Sequence, residues 1–249
     1  MDAGLLAMFV GLVSLVVPVR FLGVRTRAAA SVVFAAGLLI AVTAALLPAP
    51  LRRTSGPHAL LDDFVPAYQF HEFHSTRIHA PPGIVFRAIQ EVTASEIRLY
   101  RTLTWIRSPH FGRAPAGVLN APPERPVLES ALRGGFMALA EDPGREIVFG
   151  TIGAGPPLEI HAGGPHPADF ARFNRPGYAK IAMNFHIEQA PDGDGDSILT
   201  TETRIFTTDA RAQRRFAPYW RIIYPGSSLI RVMWLGAIKR RAESHAATR

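Results

Sequence analysis

The sequence predicts an α+β domain in which a long C-terminal helix covers an antiparallel sheet, preceded by two transmembrane helices. Three observations predict this class. Residues 1–53 contain two uncharged apolar stretches, strand-like segments joined by turn residues fill the middle of the chain, and the region from Ala210 onward is helical in composition. An antiparallel sheet needs one apolar face covered. Only the last helix is long enough to cover it.

The two apolar stretches, residues 3–19 and 28–47, contain no charged side chain. About 17–25 apolar residues span the hydrocarbon core of a bilayer, so each stretch is predicted to cross a membrane. The alternative for the first stretch is a cleaved signal peptide, but only Met1 and Asp2 precede it and a basic n-region is missing. The predicted division is a membrane hairpin over 1–53, a linker over 54–67 and a folded domain over 68–249.

Arginines near the apolar stretches predict the orientation in the membrane. Arg20, Arg25 and Arg27 lie in the connector between the two stretches, whereas Arg52 and Arg53 follow the second. Basic residues in short loops stay on the cytoplasmic side, so the connector is predicted to be cytoplasmic. This places the protein in a cytoplasmic (inner) membrane, crossing it twice, with the folded domain on the extracytoplasmic side.

Composition excludes several function classes. The chain has no cysteine, which excludes a disulfide framework, a thiol nucleophile and a cysteine zinc site. The formal net charge is +7, but no nucleic-acid-binding motif accompanies the basic residues, so no nucleic-acid partner is predicted. No cofactor and no metal are predicted, and the sequence identifies no protein partner.

The folded domain is predicted to open with a strand and a helix. Residues 73–78 are β-prone, and Pro81-Pro82-Gly83 ends the strand because proline cannot donate to the ladder. Proline is tolerated at the start of a helix, so "GIVFRAIQEV" is predicted to form one. A second short helix is predicted from Ser95, which can act as its N-cap.

Two hairpins are predicted to follow. Residues 136–141 and 146–152 are joined by the turn Pro143-Gly144, and residues 179–188 and 197–209 are joined by "PDGDGD". The segment 153–177 between the hairpins is predicted to be a long loop. The C-terminal helix is predicted to begin after Asp209, to break or kink at Pro225-Gly226, and to resume at Ser227 or Ser228.

Two stretches carry a family resemblance. "STRIHAPPGIVFRAIQEV" and the strand "TETRIFTTD", which leads into the last helix, resemble the START / Bet v 1-like helix-grip superfamily, also called SRPBCC. The resemblance covers residues 70–243 in element order. It implies a hydrophobic cavity between a curved sheet and the C-terminal helix that binds lipids, sterols, polyketides or similar molecules. Some relatives are aromatase/cyclases, but the superfamily fixes no catalytic residue, so none is predicted here.

The strand at residues 197–209 contains a charged pair, Glu202 and Arg204, on one of its two faces. If that face is turned into the cavity, the pair is a candidate for orienting a ligand head group, because a buried charge pair is costly unless it is hydrogen bonded. If that face is turned outward, the two residues form a solvated pair. Alternation alone does not choose between these cases.

Large apolar side chains are further candidates for the cavity wall. They lie on the predicted strands, on the second helix and on the C-terminal helix; in full they are Trp105, Met183, Phe185, Tyr219, Trp220, Tyr224 and Trp234. Core packing is the alternative for each of them.

Histidines and C-terminal basic residues are weaker candidates. His71 and His74 in "HEFH" would point to opposite sides of a strand, which disfavours a shared metal ion. His161 and His166 lie in the long loop near Glu159 and Asp169, where an acid–base or metal role competes with an ordinary polar surface. The segment "KRRAES", with Arg231 and Arg240 near it, either contacts anionic lipid head groups or complements the dipole of its own helix.

Three functions agree with these patterns. The first is membrane-tethered binding or transfer of a hydrophobic small molecule, above all a lipid, with the bilayer as partner. The second is a cyclase/dehydratase-like enzyme that uses polar cavity residues. The third is a membrane-anchored interaction module whose cavity is filled by its own side chains.

Overall fold

The computed structural model describes residues 26–47, 49–100, 102, 104, 121–156, 166–192 and 195–248. These residues divide into two compact units. One unit contains helix α1 (Arg27–Leu46) together with residues 217–222 of the last helix. Within it, the guanidinium of Arg221 donates to the carbonyl oxygen of Leu47 at 2.5 Å. The other unit contains the sheet.

The sheet has five antiparallel strands in the order β3-β7-β6-β5-β4. Their bounds are β3 Phe70–Ile78, β4 Met137–Asp142, β5 Glu146–Gly153, β6 Ala179–Gln189 and β7 Ser197–Thr207. A separate two-stranded sheet pairs β1 (Arg52–Arg53) with β2 (Ala67–Tyr68). Both predicted hairpins are confirmed, since β4 pairs with β5 and β6 pairs with β7. Gly144 has a φ of +83° in the first turn, a conformation that glycine adopts without steric cost.

Four α-helices accompany this sheet within the described residues. They are α2 (Pro82–Glu91), α3 (Val127–Arg133), α4 (Pro167–Arg172) and α5 (Ala210–Ala247). Helix α2 begins with Pro82 in its first turn, as expected. The second predicted helix opens with a 3₁₀ turn at Ala94–Glu96. Beyond it Tyr100, Thr102 and Thr104 are helical, whereas residues 101, 103 and 105–107 lie outside the described ranges. Helices α3 and α4 are additions to the prediction; α4 lies inside the segment expected to be a loop.

The last helix begins as predicted but does not break. The side chain of Asp209 accepts a hydrogen bond from the backbone N–H of Ala212 at 2.7 Å and is the N-cap. The helix then continues through Pro225-Gly226 to Ala247, so of the predicted break or kink the break is absent. A proline removes one hydrogen bond of the ladder. Buried side chains beyond it, such as Ile230 and Trp234, hold the following turns in place.

Two apolar layers cover the sheet, one on each face. The layer on what we call the helix-side face contains residues of α2, α5 and the strands, among them Ile89, Phe149, Phe185, Leu199 and Ile238. The layer on the opposite, outer face contains Leu61, Phe64, Val65, Val148 and Phe170. The α+β class with an antiparallel sheet and a long C-terminal helix is therefore confirmed, and it agrees with a helix-grip fold.

The segment expected to be a linker belongs to the outer-face layer. It forms a 3₁₀ turn at Leu60–Asp63, and the side chain of Leu61 is completely buried. A linker was predicted because the segment is rich in polar and turn residues. Its few apolar side chains are nevertheless packed against the sheet.

Neither predicted transmembrane helix is supported. The stretch 3–19 lies outside the described residues, whereas 28–47 falls largely in α1. Within the described part of the chain, no helix combines the length and the apolar character that crossing a membrane requires.

Candidate functional site

The alternation of side chains along β3 brings a carboxylate to the helix-side face. Glu72 lies between Phe70, whose ring centroid is 5.3 Å from that of Phe216 on α5, and His74. One carboxylate oxygen of Glu72 lies 3.0 Å from Nε2 of His74, and the other accepts from the hydroxyl of Ser227 at 2.9 Å. Glu72 is only 2% exposed. The edge strand and the last helix are thus joined through a buried acidic side chain.

One helical turn further along α5, Arg231 reaches the same face of the sheet. Its Nη2 donates to the hydroxyl of Thr203 on β7 at 3.3 Å and lies 2.5 Å from the sulfur of Met183 on β6. The guanidinium also lies over the ring of Trp234, 5.4 Å from its centroid. Arg231 is 7% exposed, so this cation is almost fully removed from water.

Trp234 contacts both Arg231 on α5 and Phe185 on β6. Its ring meets that of Phe185 edge to face, with centroids 5.0 Å apart. The indole nitrogen Nε1 is buried and has no hydrogen-bond acceptor among the described residues. Most buried polar atoms in folded proteins have a partner, so this N–H is an exception that calls for an explanation.

The outer face carries a different polar cluster, built around Arg204 on β7. Its guanidinium donates to Asp62 at 2.5 Å and to both carboxylate oxygens of Glu202 at 2.6 and 2.9 Å. It also lies over the ring of Tyr68, 5.4 Å from the centroid. His71 completes the cluster with Nε2 at 2.7 Å from Glu202. Each charged group of this cluster has an oppositely charged or hydrogen-bonding partner.

The directions of two pKa shifts on the outer face agree with these ion pairs. Burial alone would raise the pKa of Glu202, but hydrogen bonds from His71 and Arg204, with their charges, lower it below its ordinary value. Burial alone would lower the pKa of Arg204, but the carboxylates of Glu202 and Asp62 raise it. Both groups are therefore held in their charged forms.

Two further buried groups lie on the outer face. The carboxylate of Glu146 accepts from the backbone N–H of Leu60 at 2.8 Å and from the side-chain amide of Asn184 at 2.7 Å, which ties the 3₁₀ turn to the sheet. Lys180 donates to the carbonyl oxygen of Ala171 on α4 at 2.8 Å. Burial lowers the pKa of Lys180 to about 8.

The structure separates the residues predicted to bind a ligand. Met183, Phe185 and Trp234 are buried on the helix-side face. Glu202 and Arg204 lie on the outer face, so of the two alternatives the outward one is observed, although the pair is largely buried rather than solvated.

Three of the remaining predicted ligand-binding residues lie on α5. Trp220 is buried, whereas Tyr219 and Tyr224 are exposed on α5. Trp105 lies outside the described residues.

Sequence reasoning missed four polar residues of the helix-side face: Glu72, Thr203, Ser227 and Arg231. A signal was present for each. Alternation places Glu72 on the same face as Phe70, and Thr203 lies on the β7 face opposite to Glu202 and Arg204. Arg231 follows Ser227 by four positions, and Trp234 follows Arg231 by three. This spacing puts the three side chains on one side of a continuous helix.

The histidine candidates are only partly tested. His71 and His74 lie on opposite faces of β3, as strand geometry predicts. His166 is exposed at the start of α4, where its backbone N–H donates to Asp169, and its predicted neighbours His161 and Glu159 fall outside the described ranges. In the part of the chain that the structure covers, no group of three or more potential ligands is placed to hold a metal ion.

The basic residues near the C-terminus make contacts within the chain. Arg241 pairs with Glu91 and Glu96 at 3.0 and 2.9 Å, and Arg240 donates to the carbonyl oxygen of Glu96. Lys239 donates to the carbonyl oxygen of Arg77. These contacts attach the end of α5 to the residues around α2 and β3.

No protein-family model and no curated protein matches the chain. Solved structures similar to it include the aromatase/cyclase Zhui from Streptomyces sp. R1128, with 12% identity, coverage of 69% of this chain and 94% of that chain, and a TM-score of 0.26. CalU16 from Micromonospora echinospora has 15% identity, coverage of 80% and 94%, and a TM-score of 0.26. Ara h 8.0201 has 12% identity, coverage of 66% and 97%, and a TM-score of 0.24.

These values are too low to assign a family or a function. The likeness to a helix-grip fold rests instead on the observed sheet order and on the position of α5 against the sheet.

Proposed function

We propose that this protein binds a hydrophobic small molecule, a lipid above all, between the helix-side face of the sheet and α5. One observation carries the proposal: the apolar layer on this face contains four buried polar residues, Glu72, Thr203, Ser227 and Arg231. Polar groups in an apolar core cost free energy unless they are hydrogen bonded, and the buried indole N–H of Trp234 on this face has no acceptor among the described residues. Apolar walls with a few well-placed polar groups are typical of small-molecule sites.

The outer face does not support such a role equally well. Its charged groups already have partners within the chain, and a 3₁₀ turn and α4 cover it. A ligand there would have to displace ion pairs that hold the fold together. The helix-side face is therefore the better candidate.

Native mass spectrometry of the full chain, followed by organic extraction, tests the proposal. We expect an apolar compound to be released on unfolding, and the emptied protein to take up the fluorescent probe N-phenyl-1-naphthylamine. A folded protein that carries no compound and takes up no probe would contradict the proposal and favour an interaction module with a filled core.

The second candidate is a cyclase/dehydratase-like enzyme, and the Glu72–His74 pair is the observation that favours it. The pair does not resemble an activated serine site, because Ser228 lies 3.4 Å from the same nitrogen, Nε2, that contacts Glu72. Proton transfer to or from a bound molecule is the remaining role.

The enzyme candidate predicts that the wild-type protein and a Glu72 variant release compounds of different mass on extraction. Wild-type protein should yield a dehydrated compound, whereas Glu72→Gln protein that is still folded should retain the compound with one more water. Identical masses from both proteins would remove the enzyme candidate and leave the binding function.

Membrane location is a separate proposal that rests on the uncharged stretches and the flanking arginines. It places the domain outside the cytoplasmic membrane, within reach of lipid. A phosphatase fused after Arg249 should then be active. An inactive phosphatase together with a fluorescent green-protein fusion at the same position would contradict this orientation.

A further inference from the structure

The polar residues on the helix-side face form two centres with opposite chemistry. The first contains Glu72, His74 and Ser227; we call it the Glu72 centre. The second contains Arg231, Thr203 and the indole N–H of Trp234; we call it the Arg231 centre. They differ in one respect: both oxygens of the Glu72 carboxylate have a contact, whereas the indole N–H of Trp234 has no acceptor among the described residues.

In the Glu72 centre both oxygens of the carboxylate already have a contact. Oε2 accepts from the hydroxyl of Ser227, and Oε1 lies within hydrogen-bond distance of His74. A ligand donor is therefore not needed to stabilise this carboxylate. The contacts span β3 and α5, so the centre fixes the helix on the edge strand.

The Arg231 centre is rich in donors. A guanidinium has five N–H donors and can serve several acceptors at once, and the indole adds another. Two of the acceptors that Arg231 contacts are neutral, the hydroxyl of Thr203 and the thioether of Met183, and a thioether is a weak acceptor. The N–H of Trp234 has no acceptor in the described part of the chain although Trp234 is 2% exposed. This combination is suited to a ligand that brings oxygen acceptors.

We propose that the molecule bound between the sheet and α5 is an apolar carboxylate, whose oxygens accept from the Trp234 indole N–H and from the Arg231 guanidinium. This inference rests on the proposed binding function. A carboxylate suits the site better than a neutral carbonyl, because hydrogen bonds between a guanidinium and an anion are shorter and stronger than neutral ones. The aromatic rings of Phe185 and Trp234 lie beside the donors and would contact the hydrocarbon part.

Matched probes test the inference on the full chain. Palmitic acid, methyl palmitate and hexadecanol share one hydrocarbon chain and differ in the head group. We expect the acid to displace N-phenyl-1-naphthylamine at about one tenth of the concentration that the ester requires, the ratio set by one hydrogen bond to a charged group.

Two variants separate the head-group contact from general binding. Arg231→Met keeps the approximate length of the side chain and should abolish the preference for the acid over the ester. Arg240→Met changes an exposed arginine on the same helix and should keep the preference for the acid. Equal affinity for acid and ester in the wild type would overturn the inference while leaving the binding function standing. Binding of none of the three probes would overturn both.

If Arg231→Met does not fold, an NMR measurement on the wild-type protein still tests the inference. The indole N–H resonance of Trp234 is identified as the one missing from Trp234→Phe protein. We expect it to move downfield when palmitic acid is added to ¹⁵N-labelled wild-type protein and to move less with methyl palmitate. An unchanged resonance at saturating acid would overturn the contact with Trp234.

Discussion

The two faces of the sheet each bury an arginine, but in different surroundings. On the outer face, Arg204 has two carboxylate partners, Asp62 and Glu202, and an aromatic ring. On the helix-side face, Arg231 contacts a hydroxyl, a thioether and an aromatic ring. The first arrangement is self-contained and stabilises the fold. Beside the second, the buried indole N–H of Trp234 has no acceptor among the described residues, which agrees with the proposed binding site.

The largest effect is expected from Arg204→Met. Removing one partner of a buried charge cluster leaves Asp62 and Glu202 without their cation, which costs about 3–5 kcal/mol in the free energy of unfolding. Urea denaturation of the full chain measures this loss. Arg133→Met, which removes an exposed pair with Glu129, is the control and should change the stability little. If both variants lose the same amount, the outer cluster has no special structural role.

A smaller effect is expected from Glu146→Gln. The substitution removes the charge that accepts from the backbone of Leu60 and from Asn184, and hydrogen bonds to charged groups contribute about 1.5–3 kcal/mol. Amide hydrogen exchange at Leu60 and Leu61 should become faster than elsewhere in the outer-face layer. Glu141→Gln, a substitution at an exposed glutamate, should leave these amides protected. Unchanged exchange in Glu146→Gln would mean that apolar packing alone holds the turn.

The smallest effect is a pH dependence that comes from Lys180. Because burial lowers its pKa from 10.5 to about 8, the unfolded chain binds more protons than the folded one between these values. The contribution of Lys180 to the free energy of unfolding therefore rises with pH in this window, by up to about 2 kcal/mol between pH 8 and 10.

Denaturation of wild type and of Lys180→Met at the two pH values isolates this contribution. The rise should be smaller in Lys180→Met and should persist in Lys239→Met, which changes a lysine paired with Glu243. An equal rise in Lys180→Met and in wild type would show that Lys180 is not the source.

The sequence predicted both hairpins and the N-cap of the last helix because these depend on neighbouring residues. Pro143-Gly144 and "PDGDGD" favour turns, alternation marks β6, and Asp209 caps through its own side chain. The break at Pro225 was expected from the same local rules. It is absent because packing along α5 outweighs one missing hydrogen bond.

The candidate site was harder to predict than the fold. An arginine that orients a head group was one of two alternatives at position 204, whereas the proposed site uses Arg231 for that role. The alternation of side chains along β7 allowed either of its faces to be turned toward α5. In the structure, the uncharged face, which contains Thr203, is turned toward α5. Arg231 was treated as part of a basic helix end, because local sequence does not show that this turn of α5 lies against β6 and β7.

The sequence by itself determined which residues share a strand face, where the turns occur and where the last helix begins, since these follow from bond geometry and from contacts a few residues apart. Only the tertiary structure decided which face of the sheet meets α5, and that residues 59–68 cover the other. Glu146 accepts from Leu60 across 86 positions, and Ser227 donates to Glu72 across 155. Such contacts follow from how the whole chain packs, because a strand has two faces and its own sequence does not say what will cover each.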